Sequence, residues 1–450
     1  MNRLKFLARH FPDIYLNQRL LILLVLNSFL FVLGFPYPLF IGLAKLCLLG
    51  ICALCLTELI RLYLNSNPIS AERIVDEKLS NGDYNPVILK IKGHLGFASE
   101  LKIIDEFPIQ LQIRDKSFHL KCSSKFEEEI IYKIRPTQRG VYHFGKLRIF
   151  INTRFGLISR RLSIDLEKEL KVYPSVIQLK KYSFLAISNR LQEVGVKKIR
   201  RVGQSQEFEQ IRDYVIGDDF RQINWRATAR RQELMVNQHQ EEKSQNVYCI
   251  IDKGRLMQMP FEGMSLVDYA INSTLVVSGI ALGKGDKAGI LTFSNKMGSL
   301  VMAKSLSNQM NRISESLFSQ EVVNEESNFL NLYKLIKLKI KKRSLLMLYT
   351  NFDSLISLQN QMKYLKAISK NHLLCTVIFD NTEVNQKANS KTKGSKNLYD
   401  QTMAEKLQHD KKRIIKELNK NGIYSILTEP QDLTINTINK YIELKARSLL

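Results

Sequence analysis

Two long apolar runs dominate the start of the chain. The first begins at Leu20 and reads LLILLVLNSFLFVLGF, the second ends at Ile60 and reads LFIGLAKLCLLGICALCLTELI, and a Pro-Tyr-Pro turn separates them. A helix that crosses a bilayer needs about 20 apolar residues. A signal peptide fits poorly because no small-residue cleavage site follows, whereas a second apolar run does. The pattern predicts a transmembrane helical hairpin over residues 1–65.

Basic residues flank both runs and predict their orientation. They are Arg3, Lys5, Arg9 and Arg19 before the first run, and Arg61 and Arg73 after the second. Because segments rich in lysine and arginine stay in the cytoplasm, both ends of the hairpin and the bulk of the chain are expected there. The basic residues would then lie beside the anionic lipid of the inner leaflet.

From residue 66 to 176 the apolar positions recur with a period of two. Turn signals such as Asn81-Gly82-Asp83 and Arg139-Gly140 separate short segments at roughly the spacing of strands in a β-sandwich. The sequence predicts a β-sandwich-like domain over residues 66–176. Its clearest strand-like segments are PVILKIKG, IQLQIRD, FHLKCSS, EIIYKIRP, KLRIFINT and KELKVYPS.

A basic connector and a charged block occupy residues 177–245, and from residue 246 buried strands alternate with helices. Parallel strands need helical crossovers and covered faces, so the alternation predicts a parallel, doubly wound sheet in an α/β Rossmann-like domain over residues 246–450. The predicted strands are VYCIID, AGILTF, SLLMLYT, LLCTVIF and IYSIL. The predicted helices are Leu266–Leu282, Asn308–Phe318, Leu330–Lys341, Leu355–Ile368, Asp400–Asn419 and a last one from Gln431.

Composition narrows the choice of partners. The formal net charge is +24, and it is spread over the whole chain instead of forming one arginine-rich tract. The excess favours anionic partners, but its dispersion argues against nucleic acid. The six cysteines lie in an apolar run or singly in strand-like segments, so they predict a reducing compartment and no disulfide framework.

The block GDDFRQINWRATARRQELMVNQHQEE, from Gly217 to Glu242, contains the only tryptophan, Trp225. An active site is disfavoured because no serine, cysteine or histidine nucleophile stands beside a base, and nucleic-acid binding is disfavoured by the interspersed acids. An Arg/Asp clasp remains, with Trp225 facing inward on a short strand at its hub. It would be either structural or a docking face for a partner. Its residues are Arg212, Asp213, Gly217, Asp218, Arg221, Asn224, Trp225, Arg226 and Arg230. The following run, Glu233 to Asn237, is predicted to be an edge strand leading into the sheet.

The longer stretch EFEQIRDYVIGDDFRQINWRATARRQELMVNQHQEE resembles the signature region of the bacterial family named domain of unknown function 58. Two further stretches agree with that family, Arg135 to Tyr142 and Phe155-Gly156-Leu157. The resemblance implies a membrane hairpin, a β-sandwich-like region and a C-terminal von Willebrand factor A-like domain. It also implies an association with MoxR-type AAA ATPases.

The resemblance further implies a possible Mg²⁺ site at the carboxyl ends of the strands, where an Asp-x-Ser-x-Ser loop, a threonine and an aspartate bind the metal in some members. Here Asp252 is kept, but Gly254 and Leu256 replace the two serines. The later loop offers Ser327 or Asn328, and the loop of Thr350 to Asp353 offers Asn351 or Asp353. A degenerate set of Asp252, Ser327 and Asp353 is therefore the metal candidate, and no other cofactor is expected.

Together these features predict a multi-pass protein of the bacterial inner membrane that is not an enzyme. It would be a cytoplasm-facing interaction or assembly protein, working with a MoxR-type AAA ATPase and other envelope-associated proteins in protein-complex maturation or envelope function. The alternative is a metal-dependent hydrolase or ligand-binding enzyme that uses the site at the end of the sheet.

Overall fold

The computed structural model describes residues 13–63, 69–114, 116–187, 207–215, 218, 220, 223–240, 244–321, 323–380 and 395–447. The chain divides into two compact units. Unit 1 comprises Met1–Leu79 and Asp83–Val172, and unit 2 comprises Ser80–Gly82 and Tyr173–Leu450. The fold is therefore multi-domain, with sheets and helices in both units. The predicted hairpin falls in unit 1, as does the predicted β-rich region except for residues 80–82 and 173–176; the predicted connector and α/β region fall in unit 2.

Two apolar helices begin unit 1, as the sequence predicts. They are α1, Gln18–Leu33, and α2, Pro38–Tyr63. Proline suits the first position of α2 because its missing N–H would have no partner there. Helix α2 is long and apolar enough to cross a membrane, and almost all of its apolar window is exposed; α1 is apolar but shorter. The helix Leu266–Gly283 of unit 2 is shorter and less apolar but still long and apolar enough to cross a membrane; it is mostly buried, as expected of a core helix.

Antiparallel strand pairs form the rest of unit 1. Its sheets have the strand orders β1-β10-β9-β5-β6, β2-β4-β7 and β3-β11-β8. The strands are β1 Ile14–Leu16, β2 Ile69–Ile74, β3 Lys78–Ser80, β4 Asn85–His94, β5 Ser99–Asp105, β6 Ser117–Cys122, β7 Lys125–Ile134, β8 Gly140–Phe144, β9 Leu147–Asn152, β10 Ile158–Ile164 and β11 Lys168–Tyr173.

One predicted strand of this unit is wrong. The segment IQLQIRD begins with a 3-10 turn, Ile109–Leu111, that follows Pro108 and ends at Gln112 in the left-handed region, with φ 51°. A strand needs extended backbone throughout, so this turn breaks it despite the alternating pattern. Elsewhere the alternation holds: in β4, every second side chain from Val87 to Ile91 is buried in the core of the unit.

Unit 2 is built on a six-stranded sheet with the order β18-β17-β14-β19-β20-β21. The strands are β14 Asn246–Asp252, β17 Lys287–Phe293, β18 Met297–Lys304, β19 Leu345–Thr350, β20 Leu373–Phe379 and β21 Tyr424–Thr428; the short strands β15 Pro260–Phe261 and β16 Met264–Ser265 pair with each other. The prediction of an all-parallel sheet is wrong at one edge, where β18 pairs antiparallel with β17. The connection between them is only three residues long, which is too short for a parallel crossover.

Helices cover both faces of this sheet. They are α3 Val176–Ile187, α5 Leu266–Gly283, α6 Gln309–Phe318, α7 Phe329–Lys339, α8 Leu355–Ser369, α9 Ser395–Lys420 and α10 Leu433–Ala446. A further short helix, α4 Trp225–Arg231, contacts the strand Met235–Gln240. Side chains of α3, α5, α6 and α10 form the core on one face. Side chains of α7, α8 and α9 form the core on the other face.

The predicted connector contains structure that belongs to this core. In α3, Tyr182 is buried and Leu179 packs against the same cluster as α5. The helices approach so closely that a Cβ atom at Gly279 would lie 2.5 Å from the Leu179 side chain. Strands β12, Glu207–Asp213, and β13, Met235–Gln240, form a separate two-stranded antiparallel sheet. The prediction that Glu233 to Asn237 leads into the main sheet is therefore wrong.

Candidate functional site

The main sheet has a switch point between β14 and β19. After β14 the chain first builds β17 on one side, and it later returns to build β19 on the other side. In open α/β sheets, ligands bind in the crevice outside the carboxyl ends of the strands at such a point. Asp252 ends β14 and Thr350 ends β19. The crevice there, about 80 Å³ in volume, is the first candidate site.

The Asp252 carboxylate is buried at the floor of this crevice. Its Oδ1 accepts hydrogen bonds from the Gly254 N–H at 2.9 Å and from the Ser327 hydroxyl, and its Oδ2 accepts one from the Thr350 hydroxyl at 2.6 Å. Burial raises the pKa of Asp252, and these three hydrogen bonds oppose the rise. The carboxylate thus has donors from its own chain on both oxygen atoms.

Glycine at position 254 explains how Ser327 reaches this carboxylate. The Ser327 hydroxyl occupies the space in which a Cβ atom on residue 254 would stand. A serine at 254, as in the metal-binding pattern, would meet Ser327 in its present position. The structure thus places Ser327 beside Asp252, as the metal candidate supposed, and it adds Thr350 as a further hydroxyl partner.

Asp353, the third predicted metal residue, lines the same crevice but is exposed. The neighbouring Asn351 accepts a hydrogen bond from a lysine that the sequence did not indicate. The Nζ of Lys411, on α9, donates to Asn351 Oδ1 and to the Phe352 carbonyl at 2.8 Å. Burial lowers the pKa of Lys411 to about 8, while the charges of Asp380 and Asp353 act in the opposite direction. Lys411 lies far along the chain within a lysine-rich helix, so its position gave no signal.

These residues do not fit a Mg²⁺ site. Magnesium requires several free oxygen ligands in near-octahedral geometry. Both oxygens of Asp252 already accept hydrogen bonds, and the Asn351 oxygen accepts from an ammonium group. Across the described part of the chain, no group of three or more His, Cys, Asp and Glu side chains converges on one point. We derive no chemical step through a metal.

A second cavity, of about 140 Å³, shares Leu256, Asn351, Phe352 and Asp353 with the crevice. Its wall is largely apolar and its rim is polar. The lining residues are Leu256, Met259, Phe261, Leu266, Phe352, Phe379, Leu407 and Pro430, with Asn351, Asp353, Asp380, Gln408 and Lys411 as the polar members. The carboxyl edge of the sheet therefore combines a fully hydrogen-bonded buried carboxylate (Asp252), a lysine (Lys411) and a largely apolar cavity.

The predicted clasp region is organised by Asn224. Its Oδ1 accepts from the Ala227 N–H at 3.0 Å and so caps α4, while its Nδ2 donates to Asn237 Oδ1 at 2.8 Å. Its backbone N–H donates to the Met235 carbonyl at 2.8 Å. Three hydrogen bonds from one residue thus join the helix to β13. An asparagine preceding a helix is a common cap, so this role could have been predicted from the sequence.

Two residues of the predicted Arg/Asp clasp form an ion pair. The Arg212 guanidinium donates to Asp218 Oδ1 at 2.6 Å, and Asp218 Oδ2 accepts from the Val215 N–H at 2.9 Å. Arg212 and the Val215 hydrogen bond hold the pKa of Asp218 below its usual value. Asp213, Arg226 and Arg230 are exposed. Gly217 and Arg221 lie outside the described residues.

The predicted position of Trp225 is wrong. It does not face inward on a strand; it is the first residue of α4, and its side chain is 68% exposed. The alternation of Ile223 and Trp225 suggested a strand, but Asn224 caps a helix that begins at Trp225. Phe220, in the same block, is 70% exposed, and Leu234 of the block and Ile211 and Val215 just before it are further exposed apolar side chains.

Residues 210–420 match the family model described as "Protein of unknown function DUF58". Over these residues, just under half of the chain, the chain resembles the DUF58 family. The match spans the two-stranded sheet, α4 and the main sheet through α9. The signature stretch that suggested this family therefore lies almost wholly within the matched region, and the resemblance is confirmed.

One curated protein is similar to part of this chain. The chain is 28% identical over 154 residues to "Uncharacterized protein YeaD" of Bacillus subtilis (strain 168). That match covers 34% of the chain and 37% of the relative, so the chain spans little more than a third of the relative's length. The relative is itself uncharacterized and supplies no activity.

Similar solved structures are distant. The CARDB domain of PF1109 from Pyrococcus furiosus, in complex with di-metal ions, is 11% identical with a TM-score of 0.17 over 24% of this chain and 96% of that one. Proximal thread matrix protein 1 from the mussel byssus is 11% identical with a TM-score of 0.28 over 46% of this chain and 48% of that one. At these scores neither likeness assigns a fold or a function.

Proposed function

We propose that this protein is a membrane-anchored, cytoplasm-facing interaction or assembly protein of the bacterial inner membrane. Helices α1 and α2 would be its anchor, the strands of unit 1 a β-sandwich-like domain, and unit 2 a von Willebrand factor A-like domain. Residues 207–240 would form the docking surface for a MoxR-type AAA ATPase in protein-complex maturation or envelope function.

The observation that carries the proposal is the exposure of Trp225 and Phe220 on a hydrogen-bonded framework. Large aromatic side chains gain most from removal from water, and tryptophan is enriched among the residues that dominate binding energy at interfaces. The Asn224 and Arg212 hydrogen bonds fix the local backbone, so docking would cost little ordering of this segment.

Charge supports the type of partner. Arg226, Arg230 and Arg231 are exposed on the same short helix as Trp225. An aromatic anchor with an arginine rim is suited to an acidic protein surface, because guanidinium groups pair bidentately with carboxylates. The docking partner is therefore expected to present an apolar pocket edged by Asp and Glu.

The enzyme alternative has less support at the end of the sheet. The Asp252 carboxylate has three donors from its own chain, two of which are the neighbouring hydroxyls of Ser327 and Thr350. Those hydroxyls donate to a buried acid and have no histidine base beside them in the described part of the crevice. A hydrolase would be indicated by turnover in the presence of Mg²⁺ that Asp252→Ala abolishes.

The test measures binding of the full-length protein, in detergent, to a purified MoxR-type ATPase from the same cell. Trp225→Ala, and separately Arg226→Glu with Arg230→Glu, should weaken binding by at least about tenfold. Tyr399→Ala and Lys416→Glu, which change exposed residues of α9, serve as matched controls and should bind like the unaltered protein. Equal binding by all variants, or no binding of the unaltered protein, would reject the proposed docking surface.

A further inference from the structure

A buried glutamate joins helix α2 to the loop between β9 and β10. Glu58 lies near the end of α2, and its carboxylate is buried. It accepts hydrogen bonds from the N–H groups of Gly156, Leu157 and Ile158, at 3.0, 3.1 and 2.9 Å, and from the Thr153 hydroxyl. The loop is thereby fixed to this turn of the helix.

Contacts from both helices hold the same loop. At the start of α1, Asn17 Nδ2 donates to the Gly156 carbonyl and Arg19 donates to the Phe155 carbonyl, each at 3.0 Å. At the end of α2, Arg160 donates to the Leu62 carbonyl at 2.8 Å. The loop of residues 153–157 thus lies at the base of the hairpin, between the first turn of α1 and the last turns of α2.

The length of α2 fixes the depth of this loop if the hairpin crosses a bilayer. Glu58 follows Pro38 by 20 residues, which at about 1.5 Å of rise per residue corresponds to about 30 Å. The hydrocarbon core of a bilayer is about 30 Å thick. With the Pro38 end at one boundary of the core, Glu58 and its bound loop lie at the opposite boundary.

The loop presents two side chains outward at this level. Phe155 is 53% exposed and Arg154 is exposed, whereas Thr153, Gly156 and Leu157 are buried. Gly156 adopts the left-handed conformation, with φ 67°, which favours glycine and makes the turn that leaves Phe155 at the tip.

The surroundings of the tip are apolar and basic. Leu16, whose partner in the β1–β10 register is Ile158, is 60% exposed. Arg19 and Arg61, at the two helix ends, are also exposed. Of the nearby acids, Glu58 is buried and engaged in hydrogen bonds, and Glu100, whose register partner is Asn152 at the start of the loop, is half-buried, so the exposed charges named here are positive.

We propose that the Arg154–Phe155 tip is a lipid-binding site. Phe155 enters the interfacial layer of the bilayer, and Arg154, together with Arg19 and Arg61, binds the phosphates of anionic lipid headgroups. Aromatic rings favour the layer between headgroups and acyl chains, and arginine binds phosphate bidentately. The site deepens the proposed membrane anchoring and rests on it, because it assigns unit 1 a second contact with lipid.

The experiment uses full-length protein in vesicles of phosphatidylcholine and phosphatidylglycerol whose acyl chains are brominated near the headgroup, and a second set of vesicles, used for the reporter in the middle of α2, carries bromine near the ends of the acyl chains. Bromine quenches nearby tryptophan fluorescence. The only native tryptophan is removed as Trp225→Phe, and one reporter is introduced at a time. Phe155→Trp reports on the tip and Leu46→Trp, in the middle of α2, reports on insertion of the hairpin.

Ile109→Trp is the matched control, because Ile109 is exposed and lies at the other end of the same sheet. Strand β5 leads to it from Asp105, which pairs with Leu147, whereas the tip follows Asn152, which pairs with Glu100. The length of β9 separates the two ends by about 17 Å. The reporter at 155 should lose about half of its fluorescence, and the reporter at 109 should lose little.

Each outcome decides a different point. Quenching at 46 and 155 but not at 109 supports the lipid-binding tip, and Arg154→Glu should then reduce quenching at 155 more than Arg114→Glu does. Quenching at 46 without quenching at 155 overturns the tip and leaves the membrane anchor standing. No quenching at 46 overturns the membrane anchor, and the lipid-binding tip with it.

Discussion

The Ser327 hydroxyl stands where the side chain of residue 254 would begin, and glycine at 254 leaves that space free. Ser327 thereby donates to Asp252 at the switch point of the main sheet. A loop pattern that looks degenerate in sequence is thus compensated in space, because a hydroxyl from a later loop reaches the same carboxylate.

Gly254→Ala should displace Ser327 and remove its hydrogen bond to Asp252. We expect a local destabilisation of about 1–3 kcal/mol, since a buried carboxylate loses one of its donors. Hydrogen exchange of the β14 and β19 amides, measured by mass spectrometry, reports the change. Gly283→Ala is the control, because no atom lies within 4 Å of its added Cβ. If Gly254→Ala acts by removing the Ser327 hydrogen bond, combining it with Ser327→Ala should cause little further destabilisation. Full additivity of the two substitutions would contradict this shared cause.

Asp252 should make unit 2 less stable as the pH rises. Burial raises its folded pKa above that of the unfolded chain, so the folded state binds the proton more tightly. This contribution to stability is complete below the unfolded pKa, near 3.9, and is lost as the pH rises through the higher folded value. Asp252→Asn, which stays neutral, should flatten the dependence of the denaturation midpoint on pH above about 4. Asp353→Asn removes an exposed carboxyl nearby and is the control; an unchanged slope in Asp252→Asn would disprove the assignment.

Lys411 should react with an amine-directed acylating reagent at unusually low pH. Burial lowers the pKa of Lys411 to about 8, so a large fraction of its amine is neutral at that pH, whereas ordinary lysines titrate near 10.4. Peptide mapping after brief labelling across a pH series gives the midpoint for Lys411. The adjacent Lys412 is exposed on the same helix and provides the comparison in the same digest. Identical labelling profiles for the two lysines would contradict the effect of burial.

A strand of this fold can be predicted from the sequence when both of its faces are buried, because its residues are then uniformly apolar. Strand β20 is buried at every position and reads as an uninterrupted apolar run, LLCTVIF, so its prediction is confirmed. Strand β18, MGSLVMAK, is a half-exposed edge strand whose mixed pattern resembles a loop, and it was not predicted. The segment IQLQIRD alternates like a strand, but Pro108 and the left-handed Gln112 turn the chain there. Turn geometry depends on tertiary surroundings that a periodic pattern does not contain.

The candidate sites were predictable to a similar degree. Asp252 was identified from its place after a buried strand, and the structure confirms that it lies at the switch point. Lys411 was missed because it reaches Asn351 from a helix that begins more than forty residues further along the chain. Trp225 was placed inward because Ile223 and Trp225 alternate, but the cap formed by Asn224 starts a helix between them.

Asn224 and Trp225 should differ sharply in their effects on stability. Asn224→Ala removes the helix cap and the hydrogen bond to Asn237, and should destabilise the block by about 1–2 kcal/mol. Trp225→Ala should change its stability by less than about 0.5 kcal/mol, because the side chain is largely exposed. Hydrogen exchange of the β13 amides measures both. Asn224→Asp keeps the cap but not the donor to Asn237, so an intermediate loss is expected; a larger loss for Trp225→Ala than for Asn224→Ala would restore the buried-hub interpretation.

Glu58→Ala should release the loop that follows β9 from helix α2. The substitution leaves the N–H groups of Gly156, Leu157 and Ile158 without their acceptor in a buried setting, which costs about 3–5 kcal/mol for a charge-assisted network of this kind. Glu58→Gln keeps one acceptor oxygen and should lose less. Exchange of these three amides is the direct measurement, and it should accelerate strongly in Glu58→Ala. Glu129→Ala breaks a partly exposed pair with Lys90 and is the control, with an expected change below about 1 kcal/mol. Unchanged exchange at 156–158 in Glu58→Ala would show that the loop is held by the rest of unit 1 and not by the helix.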